Sequence, residues 1–166
     1  MSPGNADPVV ELCAVAVGEA EYVIDLRRVR EILPATDLVP VPRGPEWVDG
    51  VVHLRGAALP AVDARRRLGL PPRPEGQRPR ILLVAVGRRT IALLVDAVVG
   101  VVRLPRSALR PAEGLTPGGP RLFLGICGGG AGRGAARLRL LLDVKALLQA
   151  SAPEEARAAR RTEGPA

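Results

Sequence analysis

Aromatic side chains are nearly absent from this chain of 166 residues, which has one Trp, one Tyr and one Phe. The stacking platforms on which single-stranded nucleic acids are bound are therefore missing. A core has to be built from aliphatic side chains, and a hydrophobic fraction of 47% is sufficient for that. The length predicts one ordinary domain, or two small lobes that share an interface.

Histidine and cysteine are equally scarce, with His53, Cys13 and Cys127 as the only examples. Because there is no CxxC pair and no cluster of histidines, four zinc ligands cannot be assembled. We predict no metal and no cofactor, and we expect both cysteines to be small buried residues of a reducing compartment. No serine stands in a GxSxG setting, and "GGGAGRG" lacks the strand-to-helix context of a dinucleotide site. The sequence therefore predicts no enzyme.

Features of export and of membrane insertion are also missing. The N-terminal segment "MSPGNADPVVELC" has no basic stretch followed by an apolar core. No uncharged apolar run approaches the about 18 residues that a membrane span requires. We therefore expect a cytoplasmic protein with no direct membrane insertion.

Positive charge is abundant, and almost all of it is arginine. The net charge is +7, and only Lys145 among the basic residues is a lysine. Residues 64–89 hold eight arginines against one acid, Glu75, so the excess is assigned to a Pro-rich connector and its edges rather than to a helix that could enter a groove. We predict no nucleic-acid partner, but a basic nucleic-acid binder remains an alternative; it would use Arg65, Arg66, Arg67, Arg78 and Arg80.

Short apolar strands separated by turn signals fill the chain, and their order occurs twice. In the first copy, strands at 9–17, 22–25, 50–52 and 57–62 are followed by a helical turn that Asp63 caps and Gly69 ends. In the second copy, Gly125 takes the place of Gly50 and Asp143 takes the place of Asp63. The pattern predicts two β-units of about five strands, repeated at roughly 70 to 80 residues.

The repeat leads to a predicted division of the chain. Lobe 1 is placed at 9–70, an unpacked connector at 71–80 and lobe 2 at 81–149, with a disordered N-terminus at 1–8 and a flexible tail at 150–166. The segment "GGGAGRGAA" (128–136) is expected to be a flexible hairpin loop. Because two such small lobes would be marginal alone, we expect them to share an apolar interface, and their junction is a natural groove for a partner.

Arg55 is the most informative charged residue, because it follows Leu54 at a hairpin tip whose flanks are apolar. It is either a solvated turn residue or a contact residue for another protein, beside Val29, Glu31 and Gly50. Arginine suits an interface because its planar fork binds acids and carbonyls while its stem packs.

Three segments carry a resemblance to a known family: "YVIDLRRVREI", "VPVPRGPEWVDGVVHLRGAALPAVDARRRLGLP" and "IALLVDAVVGVV". The chain resembles the CheW-like family of chemosensory coupling proteins across residues 9–149, and most specifically at 41–71. The resemblance implies an all-β fold of two SH3-like five-stranded β-barrel lobes with short capping helical turns. The chain departs from the family pattern at three places: His53 replaces an Asn, residues 128–134 form a Gly-rich insertion, and the connector is rich in arginine.

The resemblance also implies a function, that of a non-enzymatic adaptor. Such adaptors bind the regulatory domain of a CheA-type histidine kinase and, in a groove between the lobes, the cytoplasmic hairpin tip of methyl-accepting chemoreceptors. By position, the partner-binding surface consists of Val29, Glu31, Gly50, Leu54 and Arg55. Arg55 is expected to hold the turn and groove in shape through hydrogen bonds to neighbouring backbone. A stand-alone structural β-domain remains a further alternative.

Overall fold

The computed structural model describes Gly4 and residues 6–44, 47–112, 122–129 and 137–149. This part of the chain consists almost entirely of β-strands: β1 Val9–Val17, β2 Ala20–Asp25, β3 Val29–Leu33, β4 Gly50–Leu54, β5 Ala57–Asp63, β6 Arg80–Val86, β7 Arg89–Val95, β8 Ala97–Pro105, β9 Phe123–Cys127 and β10 Arg139–Leu142. Helices are short: α1 Ala64–Arg67, α2 Val144–Gln149 and 3₁₀ turns at Leu26–Arg28 and Arg106–Ala108. None of these helices is long and apolar enough to span a membrane.

The strands form two five-stranded sheets. Sheet A has the order β8-β1-β2-β10-β9, and sheet B has the order β3-β6-β7-β5-β4. In both sheets the pairing is antiparallel except at one position, where β10 runs parallel to β2 and β5 runs parallel to β7. The prediction of an all-β fold with two SH3-like five-stranded lobes and short capping helical turns is confirmed.

The internal repeat is confirmed strand by strand. Each of the strands β1–β5 is equivalent to the strand five positions later in the chain, and equivalent strands have equivalent neighbours in the two sheets. Val29 of β3 pairs with Val84, and its counterpart Val98 of β8 pairs with Val15; a β-bulge follows at the same place in both pairs. Both repeats end in a helix whose backbone N–H donates to a capping aspartate: Arg65 to Asp63, and Ala146 to Asp143.

The predicted division into lobes at 9–70 and 81–149 is wrong, because each sheet takes strands from both copies. The β1–β2 hairpin pairs with β8 and β10, and the β6–β7 hairpin pairs with β3 and β5. The repeat fixes which kinds of strand are neighbours. It does not fix which copy supplies them, because equivalent strands carry equivalent hydrophobic patterns.

A shared apolar core lies between the two sheets, as predicted. Its buried residues come from both: Cys13, Val15, Val17, Tyr22, Ile24, Leu122 and Leu142 with α2 residues Val144 and Leu147, against Val62, Ala64, Leu82, Val84, Ile91, Leu93 and Val95. Aliphatic side chains dominate this core. The few aromatics also pack here, with the Tyr22 and Phe123 rings stacked at a centroid distance of 6.2 Å.

Arg67 is the charged residue buried at this junction, with 4% of its surface exposed. Its Nε donates to the carbonyl oxygen of Leu147 at 2.6 Å. Counted from the two capping aspartates, Arg67 and Leu147 occupy the same position in their repeats. The approximate two-fold axis of the duplication therefore passes close to this contact.

The connector is anchored, which the sequence analysis did not expect. The Arg73 guanidinium, with 9% of its side chain exposed, donates to Asp96 at 2.9 Å and to Asp63 at 3.2 Å. Arg65 donates to the same Asp96 carboxylate at 2.7 Å and to the carbonyl of Pro71 at 3.0 Å. Two arginines and two aspartates thus fasten residues 71–73 to the body of the protein.

The N-terminus is also partly held, in contrast to the predicted disorder over 1–8. The backbone N–H of Arg106 donates to the carbonyl of Pro8 at 2.8 Å, and Ser107 donates to the Asp7 carboxylate. Residues 1–3 and 5 lie outside the described part of the chain, as do the predicted tail from residue 150 and most of the predicted loop at 128–136.

Candidate functional site

The β4–β5 turn has the geometry of a two-residue hairpin. Leu54 pairs with Ala57, and the residues between them, Arg55 and Gly56, have φ of 49° and 78°. Two consecutive left-handed residues are typical of a type I′ turn, which follows the natural twist of the flanking strands. Gly56 adopts this conformation freely, whereas Arg55 adopts it at a steric cost.

The Arg55 side chain is held by Glu31. Nη1 of Arg55 donates to one carboxylate oxygen at 2.9 Å, and Nη2 donates to the other at 2.7 Å. The pairing with this carboxylate raises the pKa of the Arg55 guanidinium. The predicted hydrogen bonds to neighbouring backbone are therefore replaced by a bidentate ion pair to a side chain on β3, 24 residues away in the chain.

The ion pair leaves Arg55 accessible, since 72% of its side chain is exposed against 32% for Glu31. Val29 and Leu54 are half-buried, Val29 against the core between the sheets and Leu54 against the core of sheet B. Ile32, which is not among the predicted site residues, is 44% exposed on the same strand as Glu31. The structure thus brings Arg55, Glu31 and Leu54 together at one end of sheet B, whereas Val29 is on the same strand as Glu31 but packs against the other core.

Gly50 lies apart from this surface, buried at the start of β4. A Cβ built at Gly50 would stand 3.0 Å from both the Leu38 Cβ and the Val39 carbonyl oxygen. Residues 38 and 39 therefore approach β4 only because position 50 has no side chain. The repeat preserves the arrangement, since a Cβ at Gly125 would stand 2.9 Å from the carbonyl oxygen of Arg110.

A groove with a volume of about 780 Å³ lies elsewhere, between the β1–β2 turn and the connector. Gly18, Glu19, Arg65, Pro71 and Asp96 are among its lining residues. None of the five predicted site residues lines it. The predicted site residues on β3 and the β4–β5 turn are therefore separate from this groove.

Residues with catalytic potential are dispersed. His53 is exposed on β4, and Cys13 and Cys127 are buried, as predicted. Burial raises the pKa of both thiols, which disfavours the thiolate form. Within the described ranges, no three His, Cys, Asp or Glu side chains are grouped as metal ligands.

Several arginines of the connector region are engaged with acids, whereas Arg80 is exposed and makes no ion pair with a described residue. Arg65 and Arg73 bind Asp96, and Arg66 binds Asp49. Arg78 is paired more loosely with Asp37, at 3.5 Å. An exposed basic strip along the connector, which the nucleic-acid alternative requires, is therefore much weaker than the sequence indicated.

The sequence profile of the CheW-like domain matches residues 11–152. The chemotaxis protein CheW of Rhizobium meliloti is 36% identical over 113 residues, which cover 68% of this chain and 73% of that protein. The probable chemotaxis protein CheW of Rhizobium etli is 34% identical over the same length and shares. The crystal structure of the scaffolding protein TtCheW from Thermoanaerobacter tengcongensis matches the fold with a TM-score of 0.74 at 22% identity, covering 89% of this chain and 97% of that one.

Proposed function

This chain belongs to the CheW-like family, whose matched members are chemotaxis and scaffolding proteins, and we propose that it is a non-enzymatic adaptor coupling methyl-accepting chemoreceptors to a CheA-type histidine kinase. The partners would be the regulatory domain of the kinase and the cytoplasmic tip of the receptor. The work would be done by surface contacts in the cytoplasm, without a cofactor, nucleic acid or direct membrane insertion.

The observation that supports this function best is the surface organised by Arg55 and Glu31. A guanidinium fixed by two hydrogen bonds is already oriented, so less side-chain freedom is lost when a partner binds it. Leu54, next to Arg55 in the chain, and Val29, on the same strand as Glu31, are half-buried and supply apolar area. An arginine next to apolar anchors is the usual composition of the energetically important centre of a protein interface.

The proposed coupling of the two partners depends on the rigidity of the two-sheet body. The two sheets share one core and exchange their hairpins, so a partner bound to one sheet has a fixed position relative to a partner bound to the other. A rearrangement of the receptor then changes how the kinase domain is held, since the adaptor does not absorb the movement. Gly50 serves this function indirectly, by allowing residues 38 and 39 to pack on β4.

A co-precipitation experiment tests the proposal. A tagged receptor-tip fragment should retain the kinase regulatory domain only when this chain is added. Retention of neither protein would contradict the adaptor function and favour a stand-alone structural domain. Retention of nucleic acid in place of both proteins, decreasing steeply with salt, would favour the nucleic-acid alternative.

A further inference from the structure

One end of sheet B brings together two turns that are far apart in the sequence. β5 runs parallel to β7, with Ala61 opposite Ala92, so the start of β5 lies level with the start of β7. The β4–β5 turn with Arg55 is therefore beside the β6–β7 turn with Arg88. β3 reaches the same end, since Arg28 Nη1 donates to the carbonyl of Ala85 at 3.4 Å.

Four arginines at this end form what we term the cationic end: Arg28, Arg30, Arg88 and Arg89. All four are exposed, and none of them makes an ion pair with a residue that the structure describes. The two nearby carboxylates are already engaged, Asp25 with Arg27 and Glu31 with Arg55. The positive charge at this end of the sheet is therefore not neutralised by the described part of the chain.

Several arginines elsewhere in the described part of the molecule are paired with carboxylates, in contrast to the arginines of the cationic end. Asp96 and Asp63 pair with Arg65 and Arg73, and Glu21 accepts from Arg137 at 3.1 Å and from Arg139 at 2.8 Å. A concentration of like charges without counter-charges destabilises the compact state slightly and attracts negative partners. Because the cationic end lies next to Arg55, its positive charge would attract the partner that binds at Arg55.

An exposed apolar side chain beside these charges limits the class of partner that fits this end of the sheet. Ile32 is 44% exposed on β3, directly after Glu31 and two residues after Arg30. Aromatic side chains, on which bases would stack, pack instead around the core between the sheets. A protein segment with carboxylates beside apolar side chains complements such a surface better than a nucleic acid does.

We propose that the cationic end and Ile32 bind an acidic, amphipathic segment of a protein partner. This inference rests on the proposed adaptor function and specifies the chemistry of one of its two partners. The carboxylates of the segment pair with the four arginines, and its apolar side chains cover Ile32, Val29 and Leu54. Because the arginines are exposed, they act mainly by accelerating association and by selecting against basic partners.

The test compares two double variants with the same change in net charge. Arg88→Ser with Arg89→Ser removes half of the cationic end, whereas Arg80→Ser with Arg106→Ser removes two exposed arginines located elsewhere. Affinities for a receptor-tip fragment and for the kinase regulatory domain are measured by calorimetry at about 50 and about 300 mM NaCl. For one of the two probes we expect roughly tenfold weaker binding of the first variant at low salt, and a shallower salt dependence. The control variant should bind like the wild type.

The outcomes separate this inference from the function on which it rests. If the wild type binds both proteins and the two double variants are equivalent, the acidic segment is contradicted while the adaptor function stands. If the wild type binds neither protein, the adaptor function fails and the inference fails with it. If a short duplex DNA binds more tightly than either protein and loses affinity in the first variant only, the cationic end is a nucleic-acid site. Thermal midpoints measured in parallel exclude misfolding as the cause.

Discussion

Arg55, which directly follows β4, and Glu31 of β3 form a bidentate ion pair although β4 and β3 are the two outermost strands of sheet B. The pair therefore connects the two ends of the strand order and reports that the sheet curls until its edges meet. Leu33 of β3 and Leu54 of β4 pack against the same small core, in agreement with this closure. The proposed partner surface thus lies where the edges come together.

Removal of the ion pair should affect binding more than stability. For Arg55→Ala and Glu31→Ala we expect thermal midpoints close to that of the wild type, because exposed ion pairs contribute little to folding. Arg55→Ala should weaken receptor or kinase binding by roughly tenfold. Arg55→Lys should not restore it, because an ammonium cannot reproduce two parallel hydrogen bonds. Calorimetry and thermal unfolding measure both effects, with Arg106→Ala as control; a collapse of the midpoint would show that Arg55 is structural.

Asp96 should stabilise the protein in a pH-dependent way. Burial raises the pKa of its carboxyl group, but hydrogen bonds from Arg65, from the Gly18 N–H and from Arg73 outweigh burial, so the pKa lies below its ordinary value. A lowered pKa in the folded state contributes stability above the unfolded value of about 3.9, and this stability is lost as the pH falls through the folded pKa.

We therefore expect Asp96→Asn to lower the free energy of unfolding by roughly 1–3 kcal/mol at neutral pH. The difference from the wild type should shrink as the pH falls below the unfolded pKa of about 3.9 and through the lowered folded pKa. Urea titrations across this range measure it. Asp37→Asn is the matched control, since Asp37 is 99% exposed and 3.5 Å from Arg78. An equal loss at every pH would mean that packing rather than charge explains the effect.

The two equivalent glycines should respond alike to an added methyl group. Gly50→Ala and Gly125→Ala each place a Cβ about 3 Å from a backbone carbonyl oxygen, which has to move. We expect each change to cost about 1–3 kcal/mol in chemical denaturation. Gly4→Ala, where no atom lies within 4 Å of the added carbon, should be neutral. A neutral Gly50→Ala would show that residues 38 and 39 yield easily.

Arg67 should be replaceable by an apolar side chain of similar length. Desolvation lowers the pKa of its guanidinium, and its Nη2 has no hydrogen-bond partner among the residues described. Because the equivalent position holds Leu147, we expect Arg67→Met to be neutral or stabilising. Arg67→Ala should destabilise by about 2–4 kcal/mol, since it leaves a cavity. Urea denaturation compares the two; equal losses would mean that the hydrogen bond to Leu147 is essential.

Structural features that depend on residues close together in the sequence could be predicted from the sequence. The Arg55-Gly56 turn and the two capping aspartates are local patterns that the structure confirms. The strands predicted at 9–17, 22–25, 50–52 and 57–62 correspond to β1, β2, β4 and β5, with ends that differ by at most two residues. The exchange of hairpins was missed because strand pairing between distant segments is not encoded locally, and two copies of one pattern offer equivalent partners.

Contacts between distant side chains were missed for the same reason. No residue near Arg73 in the sequence indicates its ion pair with Asp96, and Glu31 is 24 residues from Arg55 in the chain. The family resemblance selected Arg55 and Glu31 without their pairing, and it selected Gly50 without its burial. The cationic end was invisible because Arg28 and Arg88 become neighbours only when β3 pairs with β6.

The exchange of hairpins means that neither half of this chain contains the strands of a complete sheet. Cleavage in the connector, near Gly76, would leave two fragments that remain associated by complementation, because each holds a hairpin that fills a gap in the other. The sheets should for the same reason melt in a single cooperative transition. Duplication has here produced a pseudo-dimer whose two halves are covalently joined, and such a permanent association would suit the proposed adaptor, which keeps two partners at a constant separation.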